Sequence, residues 1–330
     1  MRRRVFCVEK AESSMRDRSI VGGPEVEGHP RGGATARARC RWNPLPYALA
    51  LPIVAYEAIF ILYPVLQEFY TSFTNIRVLG KPAPWVGLAN YKRMFFEDPN
   101  FWHVLRNTAM YVVGVVVVAV GLGLFTALLM NRSFYGRGVA RTLLTLPWAL
   151  PDIAAVLGFV WIFNPTFGVI NVLARLIPGV ADNPKWLLNP YLARPVVIAI
   201  SAWKGFPFYS LVILAALQAV PGDLYEAARV DGANAFEAFR YVTLPGIYPS
   251  LLLMMVLAAI FAFRQFTLIW LTTGGGPGGT TETLVVRIYS TAFRFVDLSY
   301  GAALGVIGFV IAFLITVVFV ILQRRLGREA

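Results

Sequence analysis

Long apolar stretches alternate with short polar segments along most of the chain. Six stretches are long enough to cross a bilayer, which takes about 20 residues of helix. They cover residues 46–73, 108–130, 142–164, 196–219, 247–272 and 300–322. Backbone polar groups must be paired inside a membrane, and the stretches lack the alternation of barrel strands. The pattern predicts an all-α integral membrane protein with six transmembrane helices.

Composition and charge agree with this prediction. Hydrophobic residues make up 57% of the 330 residues and charged residues 15%, whereas soluble domains carry about 25% charged residues. The net charge is +12, and ten Lys or Arg lie in residues 1–44. Most other basic residues lie in short segments between apolar stretches, as membrane topology requires. The distribution therefore argues against a nucleic-acid partner.

Basic residues also predict the orientation of the chain. The segment after the second stretch and the C-terminus carry Arg132, Arg137, Arg141, Arg324, Arg325 and Arg328. By the positive-inside rule, both termini are cytoplasmic and the segments 74–107, 165–195 and 273–299 face outward. Residues 1–45 lack the apolar core of a signal peptide, so we expect a disordered basic cytoplasmic extension there. The transmembrane domain then covers residues 46–330.

The cytoplasmic segment Pro221–Pro245 is polar and prone to form helices. Asp223 with Glu226, and Asn234 with Glu237, predict two capping boxes and therefore two short helices. Gly232 suits a helix end with positive φ, and Pro245 is expected to end the second helix. An exposed apolar surface that would mark a protein partner is predicted at Leu224, Tyr225, Ala228, Phe236, Phe239 and Val242.

This segment resembles the EAA motif of ABC importer permeases. Glu226-Ala227-Ala228, Gly232 and Val242-x-Leu244-Pro245 match that motif in residue type and spacing. The resemblance implies that the segment 221–245 forms coupling helices that dock on an ATPase. The implied coupling residues are Glu226, Ala227, Ala228, Asp231, Gly232, Leu244 and Pro245. A simpler interpretation is that Glu226 only caps its helix and Gly232 only makes the turn.

Two other segments are similar to the carbohydrate branch of these permeases. They are Leu271-Thr-Thr-Gly-Gly-Gly-Pro277 and Trp203-Lys-Gly-Phe-Pro207, and they resemble the first permease of maltose or glycerol-phosphate importers. The resemblance implies a type I importer fold, a prokaryotic cytoplasmic membrane, and a disaccharide, oligosaccharide, amino sugar or glycerol phosphate as solute. It also implies a second homologous permease, two copies of an ATPase, an extracytoplasmic solute-binding protein, and surrounding lipid.

The sequence shows no motif for nucleotide binding, metal binding or catalysis. The run Gly274–Gly279 is followed by Thr280, without the lysine of a phosphate loop, so it is expected to be a flexible exit from the fifth helix. Cys7, Cys40 and the two histidines show no metal-ligand spacing. We therefore expect no metal, no cofactor and no enzymatic activity. A secondary transporter stays an alternative class, and it would show inverted repeats.

Polar and aromatic residues inside the stretches are candidates for the solute path. They are Trp203, Phe206, Tyr209, Arg264, Gln265 and Trp270. Gly205 and Pro207 are expected to interrupt the fourth helix and expose its backbone to solute. The alternatives are that the aromatic residues only pack between helices and that Lys204 extends towards the membrane surface. Glu57 and Asp152 are further ionisable residues that line the path or form pairs.

Overall fold

The computed structural model describes residues 45–76, 83–177 and 182–326. The chain divides after Pro64 into two compact units. The described part of the first unit, from Leu45 to Pro64, is helical, and the second unit begins at Val65. The predicted extension over residues 1–45 lies outside the described residues, apart from Leu45. Within the described residues the structure is helical, with one isolated antiparallel bridge between Thr74 and Trp85.

The helices, in chain order, are α1 (Leu45–Glu57), α2 (Tyr63–Ser72), α3 (Ala89–Lys92), α4 (Pro99–Asn131), α5 (Arg137–Ala149), α6 (Asp152–Ile162), α7 (Ile170–Ala174), α8 (Pro190–Ala219), α9 (Gly222–Val230), α10 (Ala235–Ala238), α11 (Leu244–Phe263), α12 (Thr267–Thr273), α13 (Leu284–Tyr289) and α14 (Leu298–Leu326). Short π-helical turns cover Ala58–Leu62, Arg93–Glu97, Phe239–Thr243 and Ser290–Arg294.

Five continuous helical segments in the described part of the chain are long and apolar enough to cross a membrane. They are Tyr47–Ser72, Pro99–Asn131, Pro190–Ala219, Ala235–Phe263 and Leu298–Ile321. A sixth span results when α5 and α6 are counted together as one bent span. The predicted all-α class is therefore confirmed, with five to six candidate spans in the described residues.

Helices α4, α8 and α11 pack against each other and form the core of the second unit. The Tyr111 hydroxyl on α4 and the Ser201 hydroxyl on α8 are 2.8 Å apart, and both residues are buried. Gly123 of α4 lies so close to α8 that a Cβ there would be 3.0 Å from the Tyr209 Cβ. Small residues and paired hydroxyls are typical of helix contacts in membranes, where the hydrophobic effect between helices is absent.

The third predicted span, 142–164, is not one straight helix. Helix α5 ends at Ala149, α6 begins at Asp152, and their axes differ by 93°. Leu150 and Pro151 between them have extended backbone, because the residue before a proline disfavours the helical region. The sequence prediction missed this break because the hydropathy of the segment continues across it.

The prediction of a break in the fourth helix is wrong. Helix α8 continues from Pro190 to Ala219 through Gly205 and the buried Pro207. A proline removes one backbone hydrogen bond, and packing against neighbouring helices keeps such a helix intact in a membrane protein. The discontinuity lies instead in the predicted span 247–272, where α11 ends at Phe263 and α12 begins at Thr267.

The glycine-rich segment before α13 is held by hydrogen bonds, in contrast to the flexible exit that the sequence predicts. The Asn107 Nδ2 donates to the Gly279 carbonyl at 2.8 Å. Arg194 donates to the Thr280 carbonyl at 3.0 Å and to Asn107 Oδ1 at 2.8 Å. Because these partners lie on α4 and α8, the segment closes one end of the core.

Candidate functional site

The first helix of the predicted coupling segment, α9, differs from the sequence prediction at its start. It begins at Gly222 after Pro221, and no side chain caps it. The predicted capping box of Asp223 with Glu226 is therefore wrong, since Asp223 already lies in the first helical turn. A carboxylate there still favours the helix, because it faces the positive end of the helix dipole.

The end of α9 agrees with the prediction for Gly232. This glycine has a φ of 84°, and its N–H donates to the Arg229 carbonyl at 3.1 Å. The next N–H, of Ala233, donates to the Ala228 carbonyl at 2.9 Å. These two bonds are those of a Schellman motif, which satisfies the last carbonyls of a helix. The motif reverses the chain between α9 and α10.

The second helix, α10, starts with the predicted capping box. The Asn234 Oδ1 accepts hydrogen bonds from the backbone N–H of Phe236 and Glu237, each at 3.0 Å. The Glu237 Oε2 accepts the Asn234 N–H at 2.7 Å. The box satisfies donors that a helix start would otherwise leave unpaired.

Helix α10 does not end at Pro245, as the sequence predicts. It continues through the π-helical turn Phe239–Thr243 into α11, so that residues 235–263 form one long helix. The Leu244 N–H donates to the Phe239 carbonyl, five residues earlier. Pro245 therefore lies inside this long helix, directly after the π-helical turn. The coupling segment is therefore a direct extension of the fifth span.

The apolar surface of this segment is exposed in part. Phe236 is 69% exposed and Leu224 50%, whereas Tyr225, Ala228, Phe239 and Val242 are half-buried. The Tyr225 and Thr243 hydroxyls, 3.1 Å apart, join α9 to the π-helical turn. The sequence analysis missed Val230, which is 88% exposed, and its position just before the Asp-Gly helix end was the available signal.

The predicted coupling residues occupy two places. Glu226 and Ala227 are exposed on α9, Ala228 is half-buried beside them, and Asp231 with Gly232 is exposed at its end. Leu244 and Pro245 lie in the first turn of α11 instead. A groove of about 800 Å³ lies between this segment and the ends of α4 and α8. Its lining includes Leu128, Arg132, Leu217, Tyr225, Arg229, Phe236 and Phe239.

The predicted solute-path residues fall into two groups. Trp203, Phe206 and Tyr209 lie on α8, where Tyr209 is buried and the Trp203 ring packs edge-on against Phe159 of α6 at 4.9 Å. Arg264 and Gln265 lie in the break between α11 and α12, where Arg264 is exposed. The sequence analysis expected both deep in a continuous span.

Trp270, the last predicted path residue, belongs to an aromatic cluster beside this break. Its ring stacks on Phe266 at 5.5 Å and meets Tyr289 edge-on at 4.8 Å. The Arg294 guanidinium lies 5.6 Å from the Trp270 ring centre. Tyr289 and Arg294 were missed because they lie about 20 residues further along the sequence, and only the fold brings them to α12. Stacked rings beside a cation form a surface suited to a polar ring such as a sugar.

Family comparison agrees with this geometry. The family model of the inner membrane component of binding-protein-dependent transport systems matches residues 119–329, which include the coupling segment and α8 to α14. The chain belongs to this family. It is thus a multi-pass membrane permease, the transport component of an ABC importer. ATP hydrolysis in such systems is performed by a separate subunit.

Individual relatives cover most of the permease. It is 38% identical over 283 residues to the sulfoquinovosyl glycerol transport system permease protein SmoG of Agrobacterium fabrum, covering 85% of this chain and 90% of SmoG. It is 34% identical over 290 residues to the trehalose/maltose transport system permease protein MalF of Thermococcus litoralis, covering 88% of this chain and 97% of MalF.

A solved structure supports the fold of the permease. A chain of the bacterial alginate ABC transporter, in complex with an alginate pentasaccharide-bound periplasmic protein, superposes with a TM-score of 0.74 at 23% identity. The match covers 86% of the permease and 94% of that chain. The type I importer permease fold expected from the sequence is confirmed.

Two charged residues inside the candidate spans form a pair. The Lys204 Nζ on α8 donates to the Trp148 carbonyl at 3.0 Å and lies 3.3 Å from Asp152 Oδ1. These contacts, and the position of Lys204 near the middle of α8, argue against the alternative in which Lys204 extends to the membrane surface. Glu57 is exposed on α1. No cluster of three potential metal ligands occurs among the described residues.

A second charge cluster lies at the end of the permease that contains the glycine-rich segment. Asp98 Oδ2 accepts the Tyr300 hydroxyl at 2.7 Å and lies 3.2 Å from Arg287 Nη2. Burial favours the neutral acid, but the hydrogen bonds from Tyr300 and Asn100 and the charge of Arg287 hold the pKa of Asp98 below its usual value. Burial raises the pKa of Glu282, and Arg287 at 3.6 Å offsets this only in part.

Proposed function

We propose that this permease is a membrane subunit of an ATP-driven importer for a sugar or related polar solute. The observation that carries the proposal is the coupling segment, which has the EAA spacing and continues as one helix into the fifth span. The named solutes of SmoG and MalF, a glycosyl glycerol and disaccharides, favour disaccharides, oligosaccharides, amino sugars or glycerol phosphates over amino acids or ions.

The proposed assembly contains a second homologous permease, two copies of an ATPase and an extracytoplasmic solute-binding protein. The periplasmic protein bound to the similar alginate transporter supports the last of these partners. Exposed apolar residues along α14, such as Phe309, Phe313 and Leu314, suit contact with lipid or with the second permease.

The proposed location is the cytoplasmic membrane of a prokaryote, with both termini and the coupling segment inside. Arg132, Arg137 and Arg141 near the coupling groove support this orientation by the positive-inside rule. The glycine-rich segment and the Asp98–Arg287 cluster would then face outward. Asp98 and Glu282 partly balance the basic residues at that end.

The proposed mechanism is alternating access driven through the coupling segment. ATP binding changes the ATPase surface on which α9 and α10 rest. Because residues 235–263 form one helix, a shift of α10 displaces α11 and the break at Arg264–Phe266. ATP can drive this change only through its different affinity for the two states of the complex.

The proposed solute path passes this break and the aromatic cluster of Phe266, Trp270 and Tyr289. Discontinuous helices expose backbone groups that bind solute in transporters. Trp270→Ala is expected to raise the KM of uptake about tenfold, the change for a lost contact of about 1.4 kcal/mol. Trp161→Ala, at a more exposed tryptophan on α6, is the control and should leave KM unchanged.

Cross-linking tests the coupling role. Cys7 and Cys40 are replaced by Ser, and Ala227, which is exposed on α9, is replaced by Cys. A short cross-linker should join this cysteine to the ATPase subunit. The control is Phe295→Cys, at an exposed residue at the proposed outer end. Cross-linking to the ATPase from position 295 and never from position 227 would overturn the proposal.

Uptake in cells tests the solute class. A strain with this gene and a strain with the gene deleted are compared with labelled trehalose, maltose, sulfoquinovosyl glycerol, glycerol phosphate and an amino acid. The proposal expects energy-dependent accumulation of one of the first four, lost on deletion. Deletion that abolishes only amino-acid uptake would contradict it.

A further inference from the structure

Helix α8 holds both halves of the broken third span through neighbouring residues. Lys204 donates to the Trp148 carbonyl on α5 and pairs with Asp152 on α6. One turn later, Phe208 stacks on the Trp148 ring at 5.9 Å. Trp203 packs against Phe159 on α6 at 4.9 Å. The angle between α5 and α6 is therefore set by contacts with α8 as well as by Pro151.

Lys204 contacts the end of α5 and the first residue of α6 at the break. The last carbonyls of α5 have no partner within the helix, and Trp148 is next to its last residue. Asp152 opens α6, where a carboxylate is favoured by the helix dipole. The ammonium group contacts the Trp148 carbonyl and the Asp152 carboxylate. The Lys204 side chain is only 14% exposed, whereas that of Asp152 is 43% exposed. Of the ion pairs among the described residues, this one alone joins two candidate spans.

The third and fifth spans each contain a break, and the helices that follow the two breaks contact each other. Helix α6 packs on α12, which follows the break at Arg264–Phe266, whereas α5 packs on α8. The segments beyond the two breaks thus form a pair, α6 with α12. Val156 of α6 and Leu268 and Ile269 of α12 are buried in the core, and the ion pair of Lys204 with Asp152 adds a polar contact between this pair and α8.

We propose that Lys204 is a positioning residue that latches the α6–α12 pair to α8. Opening of the latch lets the pair pivot at Leu150–Pro151 and at Arg264–Phe266 while α4, α8 and α5 keep their packing. A partly exposed Asp152 makes the contact separable, since water can replace the ammonium group when the pair moves. This inference rests on the proposed transport function. It names one contact, between Lys204 and Asp152, that sets the populations of the two states of the transporter.

Distance measurements on the purified importer complex test the latch. In a chain whose Cys7 and Cys40 are replaced by Ser, spin labels are placed at Leu157 on α6 and Leu211 on α8, both exposed. Asp152→Asn or Lys204→Met should raise the population of longer distances at least about fivefold, the lower end of usual coupling between two states. The reference pair, Val117 on α4 with Leu211, should not change.

A double-mutant cycle separates a latch from two independent structural roles. The variant with both substitutions should show the distance distribution of Lys204→Met alone, because that substitution already removes the contact with Asp152. Lys204→Arg, which keeps a donor for both partners, should restore the wild-type distribution. Lys185→Met, at an exposed lysine outside the described ion pairs, controls for loss of a positive charge and should have no effect.

The outcomes distinguish this inference from the proposed function. Unchanged distances in both single variants, or additive changes in the double variant, overturn the latch even if sugar uptake is normal. Shifted distances in a complex that takes up no sugar support the latch and count against the proposed function. If Lys204→Met does not assemble, Asp152→Asn alone decides, because it keeps the side-chain shape at a partly exposed site.

Discussion

Gly232 determines where the coupling segment turns. Its φ of 84° lies in the left-handed region, and no neighbouring atom lies within 4 Å of a Cβ built there. The backbone conformation therefore requires glycine at this position, whereas the surrounding space would accommodate a side chain. Motif resemblance and local chemistry agree at this residue, which is why the sequence alone predicted its role in the turn.

Gly232→Ala should loosen the turn between α9 and α10. A side chain in the left-handed region costs about 1–2 kcal/mol. Hydrogen exchange of the Ala233 amide, which closes the Schellman motif, should accelerate, and cross-linking from position 227 to the ATPase should decrease. The matched control is Gly222→Ala, where a Cβ also meets no atom and φ is not positive. Equal effects of both substitutions would contradict the backbone argument.

Asp98 and Glu282 should respond to pH with opposite signs. The lowered pKa of Asp98 means that its charge stabilises the folded permease above its ordinary value of 3.8. Asp98→Asn should therefore cost about 1–3 kcal/mol at pH 7, the usual value of hydrogen bonds to a charged group. This loss should shrink as the pH falls through the lowered pKa. Thermal unfolding in detergent at several pH values measures it.

The raised pKa of Glu282 means that its ionised form disfavours folding at neutral pH. Glu282→Gln should therefore leave stability at pH 7 unchanged or increase it, and the difference from wild type should vanish as the pH falls through the raised pKa. A large loss of stability at pH 7 would show that the contact with Arg287 outweighs the burial of the carboxylate.

Among the elements, the contact of α4 with α8 leaves little room for change at Gly123. A Cβ at Gly123 would lie 3.0 Å from the Tyr209 Cβ and 3.1 Å from the Ser210 backbone nitrogen. Gly123→Ala must separate the two helices and should cost about 1–3 kcal/mol, as overpacked cores do. Gly121→Ala, two residues earlier, meets no atom within 4 Å. The thermal midpoints in detergent should therefore fall for Gly123→Ala alone.

The helix breaks show which features of elements the sequence predicts. Apolar length predicts that spans exist, because every backbone group in a membrane needs a partner. Proline position does not predict where a span breaks, since Pro207 lies inside a continuous α8 while Pro151 separates two helices at 93°. The difference lies in contacts: Pro207 is buried in the core, whereas at Pro151 the Lys204 Nζ bonds the Trp148 carbonyl and pairs with Asp152.

The proposed solute site shows the same limit at a longer range. Arg264, Gln265 and Trp270 were predictable as polar and aromatic residues in an apolar segment. Tyr289 and Arg294 complete the cluster only because the chain returns after the glycine-rich segment. That return depends on hydrogen bonds from Asn107 and Arg194, residues on two other helices, so it has no local signal in the sequence.

For the whole molecule, the proposed coupling depends on the unbroken helix over residues 235–263. Two glycines inserted between Thr243 and Leu244 would rotate and loosen α10 relative to α11, because each added residue turns a helix by about 100°. The ATPase should still bind α9 and α10, so cross-linking from position 227 should persist. Uptake should fall at least tenfold while ATP hydrolysis continues, because the motion no longer reaches the break at Arg264–Phe266.

A control insertion separates this effect from a general disturbance. Two glycines between Phe134 and Tyr135 lie in an exposed turn between α4 and α5, and loops tolerate such additions. Uptake by this variant should stay close to wild type. Equal losses of uptake with both insertions, or normal uptake with the insertion after Thr243, would show that the helix over residues 235–263 does not transmit the ATPase motion. Movement at the breaks after Phe263 and Ala149 would then have to be driven through a contact other than the helix over residues 235–263.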